Sequence, residues 1–155
     1  MRTQRKPGGI QAVDSFQSAF WTAKRAMAEA AEVAFRRHGV RAGQQFILIR
    51  LWEEDAQTPG ELARRLGLAA PTVTKAASRM EAAGLLARKP HPTDARLVTL
   101  HLTRRGKALR RAIKREMRQL TDRALASLSK PERAELVRLL GEVCTCLSVH
   151  PVTGS

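Results

Sequence analysis

Five short or cationic side chains, Thr72, Thr74, Lys75, Ser78 and Arg79, fall within one stretch of eight residues. Lys75 and Arg79 are four apart, the spacing that places two side chains on one face of a helix. Their charged groups are donors suited to guanine O6 and N7 in the major groove of a duplex, and the three hydroxyls are short enough for phosphates or base edges. Both cations could equally lie on phosphates, where they position a protein without specifying a sequence. Arg96 follows Asp94-Ala95 in a proline-flanked loop. Its guanidinium suits a narrow A·T-rich minor groove, where negative potential concentrates. Its simpler role is an ion pair with Asp94, which would orient it rather than replace its reach. Arg88, Lys89 and Arg104 flank the same region and extend the set of candidate polyanion contacts.

Charge distribution points the same way. The 155 residues carry a net charge of +14, far more than solubility requires. Residues 70–118 hold 13 basic against 3 acidic residues, whereas residues 42–69 hold 3 against 4 and residues 119–155 hold 4 of each. A local footprint for a polyanion follows. The bland alternative is a solvated face, and for Arg104, Arg105, Lys107, Arg110, Arg111, Lys114, Arg115 and Arg118 it applies beyond the first turn. That part is read as steering DNA at long range or pairing with acids of a partner subunit.

Other chemistry finds no support. The chain has no G-x-S-x-G, no nucleotide-binding glycine loop and no H-E-x-x-H, so no enzyme is expected. His38, His91, His101 and His150 lack metal-ligand spacing, and neither metal nor cofactor is expected. Cys144 and Cys146 are two apart on a helical stretch, about 200° around it, and cannot clamp one metal or close on each other. Core or interface packing is the default for them, and an intersubunit disulfide is the alternative. Two cysteines are too few for a disulfide framework and fit a reducing compartment. The apolar runs are short, and a basic start leads into Pro7-Gly8-Gly9 with no apolar h-region, so a soluble, cytoplasmic protein is expected, with no role for a membrane.

The positioning elements can be read from periodicity and caps. Residues 1–13 form a flexible arm with Arg2, Arg5 and Lys6, and residues 14–41 a helix whose stripe is Phe16, Phe20, Ala23, Met27, Ala30 and Ala34. Residues 42–56 form a second helix, apolar almost all round, with Phe46, Trp52 and the aromatics of the first helix chiefly core. Thr58-Pro59-Gly60-Glu61 is a capping box opening a helix over 59–66, Gly67 a left-handed stop, and Pro71 the first position of another helix that runs to Gly84. Leu62, Ala63, Leu66, Leu68, Val73, Ala76, Ala77 and Met80 pack the pair. Strands over 85–89 and 97–102 bracket a projecting tip, with His101 on the outer face of the second. Thr103 caps a long helix to about Leu128, Ser129-Lys130-Pro131-Glu132 opens a last one, and Pro151 ends it, leaving a tail over 151–155. The layout is a mostly α fold with a small β wing. A winged helix-turn-helix over 42–103 is flanked by helices over 14–41 and 104–150, and their surplus apolar stripe calls for a second copy.

Over residues 58–111 the chain resembles the MarR family of bacterial transcriptional regulators. The likeness rests on Thr58-Pro59-Gly60-Glu61-Leu62-Ala63, Gly84-Leu85-Leu86, Asp94-Ala95-Arg96, and Leu102-Thr103 with Gly106. The family's wing tip has Asp followed by two Arg, and here Ala95 stands in one of those places, so only Arg96 carries over as a minor-groove reader. The resemblance implies a homodimer on pseudo-palindromic double-stranded DNA, repression as its output, and small aromatic or phenolic effectors. Trp21 and Trp52 are candidates for such a ligand, with Arg25 or Arg50 as counter-charge. Two other classes compete: a low-specificity architectural DNA-binding protein, and a winged helix that docks on acidic proteins or anionic membrane.

Overall fold

The computed structural model describes residues 9–149, with side chains from 15 to 148; the Arg2, Arg5 and Lys6 arm, His150, Pro151 and the tail lie outside them. Seven helices and one hairpin occur in the order α1 (Gly9–Arg36), α2 (Gln44–Glu53), α3 (Pro59–Leu66), α4 (Ala70–Ala82), β1 (Leu86–Pro90), β2 (Val98–Leu102), α5 (Arg104–Ala108), α6 (Arg110–Ala124) and α7 (Lys130–Val149). The chain divides into two compact units, Met1–Leu120 and Thr121–Ser155.

In the first unit, Ile47, Leu48 and Leu51 of α2 meet Leu62 of α3, Met80 of α4 and Ile113 of α6 in one fully buried cluster, closed by Phe35 at the end of α1. α3 starts as its residues dictate. Thr58 accepts from the Glu61 backbone N–H, and the Glu61 carboxylate accepts from the Thr58 backbone N–H at 2.7 Å. That bond holds the Glu61 carboxyl below the usual carboxylate range. Gly67 then stops the helix with φ 64°. The strands are antiparallel, with Leu86 opposite Leu102 and Arg88 opposite Leu100. The hairpin is anchored outside itself, because Leu100 N–H donates to Gln57 O at 2.8 Å and Leu102 N–H to Asp55 Oδ1 at 2.9 Å.

Several expectations are corrected. α1 begins at Gly9, so residues 9–13 are helical rather than part of an arm. α2 is shorter than 42–56: Gly43 precedes it with φ 95°, Glu54 is extended, and Ala56 has φ 62°. α4 begins one residue early, which puts Pro71 at its second position. Leu85 N–H closes onto Met80 O instead of joining β1. The long helix turns slightly at Leu109 (ψ −12°) and ends at Ala124, not Leu128. Phe16, Phe20, Trp21 and Phe46 are between 36% and 54% exposed and are not core in this chain. For the three on α1 the cause lies along that helix, where burial begins at Ala30 and Ala31, so the preceding turns carry aromatics that nothing in the unit covers. Leu68, past the Gly67 stop, is likewise exposed.

An ionic cluster fixes the end of α1. Glu116, 4% exposed on the core side of α6, accepts from the guanidinium of Arg37 and lies 3.2 Å from His38 Nε2. Burial pushes the Glu116 pKa up, but the bonds and charges of Arg37 and His38 outweigh it and hold the carboxyl below its ordinary range. A depressed folded-state pKa stabilises at pH values above the unfolded pKa, and that contribution disappears as pH falls through the folded one. Glu116→Gln is therefore expected to lower unfolding free energy by about 1–3 kcal/mol at neutral pH, by weakening charge-assisted hydrogen bonds. The deficit should shrink below about pH 4.3, as read by urea titrations across pH.

In the second unit, Ser129 donates through N–H and Oγ to the Glu132 carboxylate at 2.8 and 2.7 Å, which opens α7. Val137, Leu140 and Leu147 are exposed along it, and so are Cys144 and Cys146, which removes core packing as their role in this unit. Among the described residues, no helix is long and apolar enough to cross a membrane, and no cluster of His, Cys, Asp and Glu could hold a metal.

Candidate nucleic-acid interface

α3 and α4 are held together by Leu62, Ala63, Val73, Ala77 and Met80, all buried. Burying Val73, Ala77 and Met80 turns the opposite side of α4 outward, and Thr72, Thr74, Lys75, Ser78 and Arg79 are all exposed there. The hydroxyls are not equivalent. Thr74 Oγ1 donates to Ala70 O at 3.0 Å and Ser78 Oγ to Thr74 O at 3.1 Å, so both protons are committed to the helix's own backbone. Thr72, Lys75 and Arg79 follow the three-then-four spacing of a single line along α4. Among the described residues neither Lys75 nor Arg79 makes an ion pair. That leaves a row of uncommitted donors on a convex helix face.

Arg88, expected as a direct contact, is already engaged. It donates to Ser78 Oγ at 2.6 Å and lies 3.6 Å from Glu81, so it braces β1 against α4. Lys89 and Arg104 are exposed. Arg105 donates to Ala83 O at 2.9 Å and belongs to the scaffold rather than to a contact surface.

The wing tip is ordered by short bonds. His91 N–H donates to Leu97 O, and His91 Nδ1 accepts from the Thr93 and Asp94 N–H groups at 3.3 and 3.2 Å. Arg96 donates to both oxygens of Asp94 at 3.1 and 3.2 Å, yet its side chain is 89% exposed. These bonds hold the Asp94 carboxyl below its ordinary range. The ion pair and the reach therefore coexist: Asp94 fixes the guanidinium plane while leaving it in solvent. Beneath the tip, a groove of about 490 Å3 separates the wing from the helix pair, lined by Glu61, Arg64, Thr74, His91, Arg96 and Val98 among others.

The start of α5 holds the wing to the helices, and sequence reading missed how tightly. Gly106 packs against the turn after α4, where a Cβ would stand 2.3 Å from Leu85 O. Trp52 Nε1 donates to Gly106 O at 3.0 Å, which makes this tryptophan a clamp on the scaffold. Trp21 is exposed on α1, edge-on to Phe20, with Lys24 Nζ 4.7 Å above its ring. Arg25 is exposed on the same helix, and Arg50 pairs with Glu53 at 3.1 Å. No bond or ring contact among the described residues joins Trp21 or Arg25 to Arg50 or Trp52.

Comparison with known proteins accords with this architecture. A protein of Mycobacterium bovis described as an uncharacterized HTH-type transcriptional regulator is 33% identical over 94 residues, 61% of this chain and 66% of the relative, so the match spans just under two thirds of that relative. A MarR transcriptional regulator from Methanosarcina mazei superposes with a TM-score of 0.76 at 21% identity, covering 88% of this chain and 99% of the other. A MarR-family regulator from Listeria monocytogenes, solved with a 26mer DNA, gives 0.69 at 20% identity over 92% and 90%. Those two likenesses speak for the fold. The family model described as the MarR family matches residues 41–98, the stretch that carries α2, both helices of the pair, and the wing to the start of β2. By its winged helix-turn-helix and by these matches, the chain is similar to members of the MarR family.

Proposed function

We propose that the chain is a cytoplasmic homodimer that binds pseudo-palindromic operators and represses transcription, a regulator and not an enzyme. The observation that carries this reading is the row of exposed donors on α4, with Lys75 and Arg79 unpaired among the described residues, beside a wing whose Arg96 is oriented but solvent-exposed. A helix of this kind enters the major groove, and two of them related by a twofold axis read half-sites about 34–36 Å apart. The second copy accounts for the aromatics left exposed on α1 and the aliphatics left exposed on α7, each a face that a lone chain leaves wet. The DNA-bound Listeria relative supports a duplex as partner. Repression would follow from steric occupancy of a promoter by the bound dimer. A small aromatic acid near Trp21, with Arg25 as counter-charge, would release DNA if it bound better to the spacing that misfits the grooves; Arg50 and Trp52 would join only in another arrangement.

Nuclease footprinting on the DNA flanking its own gene, with genomic competitor present, tests the reading. A protected palindrome with half-sites one turn apart supports it, as does a dimer by sedimentation. A monomer, or protection without preference, overturns it and favours an architectural coat. With ~6–10 phosphates neutralised, affinity should fall about 10³- to 10⁵-fold between 50 and 200 mM salt. The two wing arginines should behave differently. Arg96→Gln is expected to lower the salt slope by about one per protomer, as for a phosphate or groove contact. Arg88→Gln should weaken binding by about threefold to tenfold, the scale of one lost hydrogen bond, and leave the slope unchanged.

A further inference from the structure

The outer face of α5 and α6 is not explained by the proposed readers. Lys107, Arg110, Arg111, Lys114, Arg115 and Arg118 are all exposed, and Arg104 begins the same row. At 100° per residue these side chains fall within an arc of about 140°, and the row runs for about 21 Å. Gly106, Ile113, Glu116 and Leu120 are buried on the other side of the same helices. α5 and α6 behave as one rod here, since Leu109 N–H donates to Arg105 O and Ile113 N–H to Leu109 O.

Three observations mark this face as a binding surface and not a solvated one. Among the described residues, none of the seven cations makes an ion pair, whereas Arg36 and Arg41 share Glu32, Arg50 takes Glu53, and Arg65 takes Glu54. The only carboxylate between residues 104 and 121 is Glu116, which is turned inward onto Arg37 and His38. Like charges at i, i+3 and i, i+4 oppose helix formation, and ordinary exposed helices interleave acids to avoid it. A second copy of the chain is poorly equipped to neutralise the row, because Glu32, Glu53, Glu54, Glu81, Glu116 and Glu135 already face arginines in their own chain.

We propose that the outer face of α5 and α6 is a second phosphate-binding track, which takes up the backbone of duplex DNA flanking the segment read by α4 and the wing. Charge complementarity favours this occupant: with one phosphate per ~3.4 Å of axis on each strand, a 21 Å row faces about six of them. The track starts at the wing's exit, so the flanking duplex meets it directly after Arg104 and bends toward the protein to stay on it. It contributes affinity and curvature without reading sequence. The inference rests on the DNA-binding reading above.

The test uses the full-length protein and the variant Arg111→Gln/Lys114→Gln/Arg115→Gln/Arg118→Gln, with two duplexes sharing one footprinted site. The short one ends at the footprint of α4 and the wing, and the long one adds about one helical turn, ~10.5 base pairs, on each side. The wild type should bind the long duplex at least tenfold more tightly than the short one, with a salt slope steeper by about 2 to 4 per protomer at ~0.9 per phosphate. The variant should bind both duplexes as the wild type binds the short one, and without DNA it should melt no lower than the wild type. A wild type indifferent to length, a variant that keeps the gain, or a variant equally weakened on both duplexes overturns the track. So does a variant that becomes monomeric, which would make the face an interface. Lys75→Ala/Arg79→Ala separates the two readings: it should lose preference for the site yet keep the gain from length, whereas failure of every protein on every duplex removes the DNA reading itself.

Discussion

Replacing Lys75 and Arg79 together by alanine is expected to erase the preference for the operator over a scrambled duplex, each lost bidentate contact removing about 1–3 kcal/mol of discrimination. Fold and stability should be untouched, because both side chains are exposed and alanine is the better helix former. The geometry of α4 explains why the burden falls on these two. Thr74 and Ser78 have their hydroxyl protons tied to Ala70 O and Thr74 O, and Ser78 Oγ also accepts from Arg88. Thr72, Lys75 and Arg79 form the remaining line, and of these the cations carry the charged donors suited to guanine O6 and N7. Competition binding with operator and scrambled duplexes at one salt concentration measures the effect. If affinity for both drops by the same factor and their ratio is preserved, Lys75 and Arg79 lie on phosphates and specificity must come from elsewhere.

Features governed by neighbours in sequence were legible. The Thr58 and Glu61 box and the Gly67 stop depend on contacts a few residues apart, and they stand where they were expected; the alternation of Val98, Leu100 and Leu102 with Thr99 and His101 holds for the two buried leucines but not for Val98, which is exposed. Thr99 departs from the alternation, since it is buried with its hydroxyl bonded to Lys89 O and His101. What sequence could not convey is contact across long separations. Nothing near Trp52 announces that its indole nitrogen will meet the carbonyl of Gly106, 54 positions away. Arg88 looked like any other wing cation until Ser78 was placed beside it. The aromatics of α1 show a different limit. An apolar stripe records that a face will be buried, but its periodicity is the same whether the partner lies in the same chain or in another. By that periodicity Phe16 and Phe20 suit a core, and their exposure makes the same stripe an argument for a second copy.

Gly106→Ala should be the most damaging single-methyl change in the first unit. The new Cβ would stand 2.3 Å from Leu85 O and 3.2 Å from Leu102 Cδ2, and the nearer atom is backbone that no rotamer can move. The carbonyl it strikes already accepts from Thr103 N–H at 3.1 Å and Thr103 Oγ1 at 3.1 Å, and the residue's own carbonyl accepts from Trp52. The turn after α4, the cap of α5 and the indole of α2 must therefore shift together. Overpacking of this kind costs about 1–3 kcal/mol or more, and at roughly 2–4 °C per kcal/mol for a chain of this size the melting temperature should fall by several degrees. Gly84→Ala supplies the contrast. Nothing lies within 4 Å of its added Cβ, so only the left-handed backbone at φ +74° is strained, at about 1–2 kcal/mol. Because Gly106 sets the wing against α4, its variant should also lose affinity on every duplex while keeping their rank order, which Lys75 and Arg79 determine. A Gly106→Ala protein that melts with the wild type and binds equally well would show that the approach of α5 to the α4 turn is slack, and that the wing takes its position from the Gln57 and Asp55 anchors and the Arg88 brace.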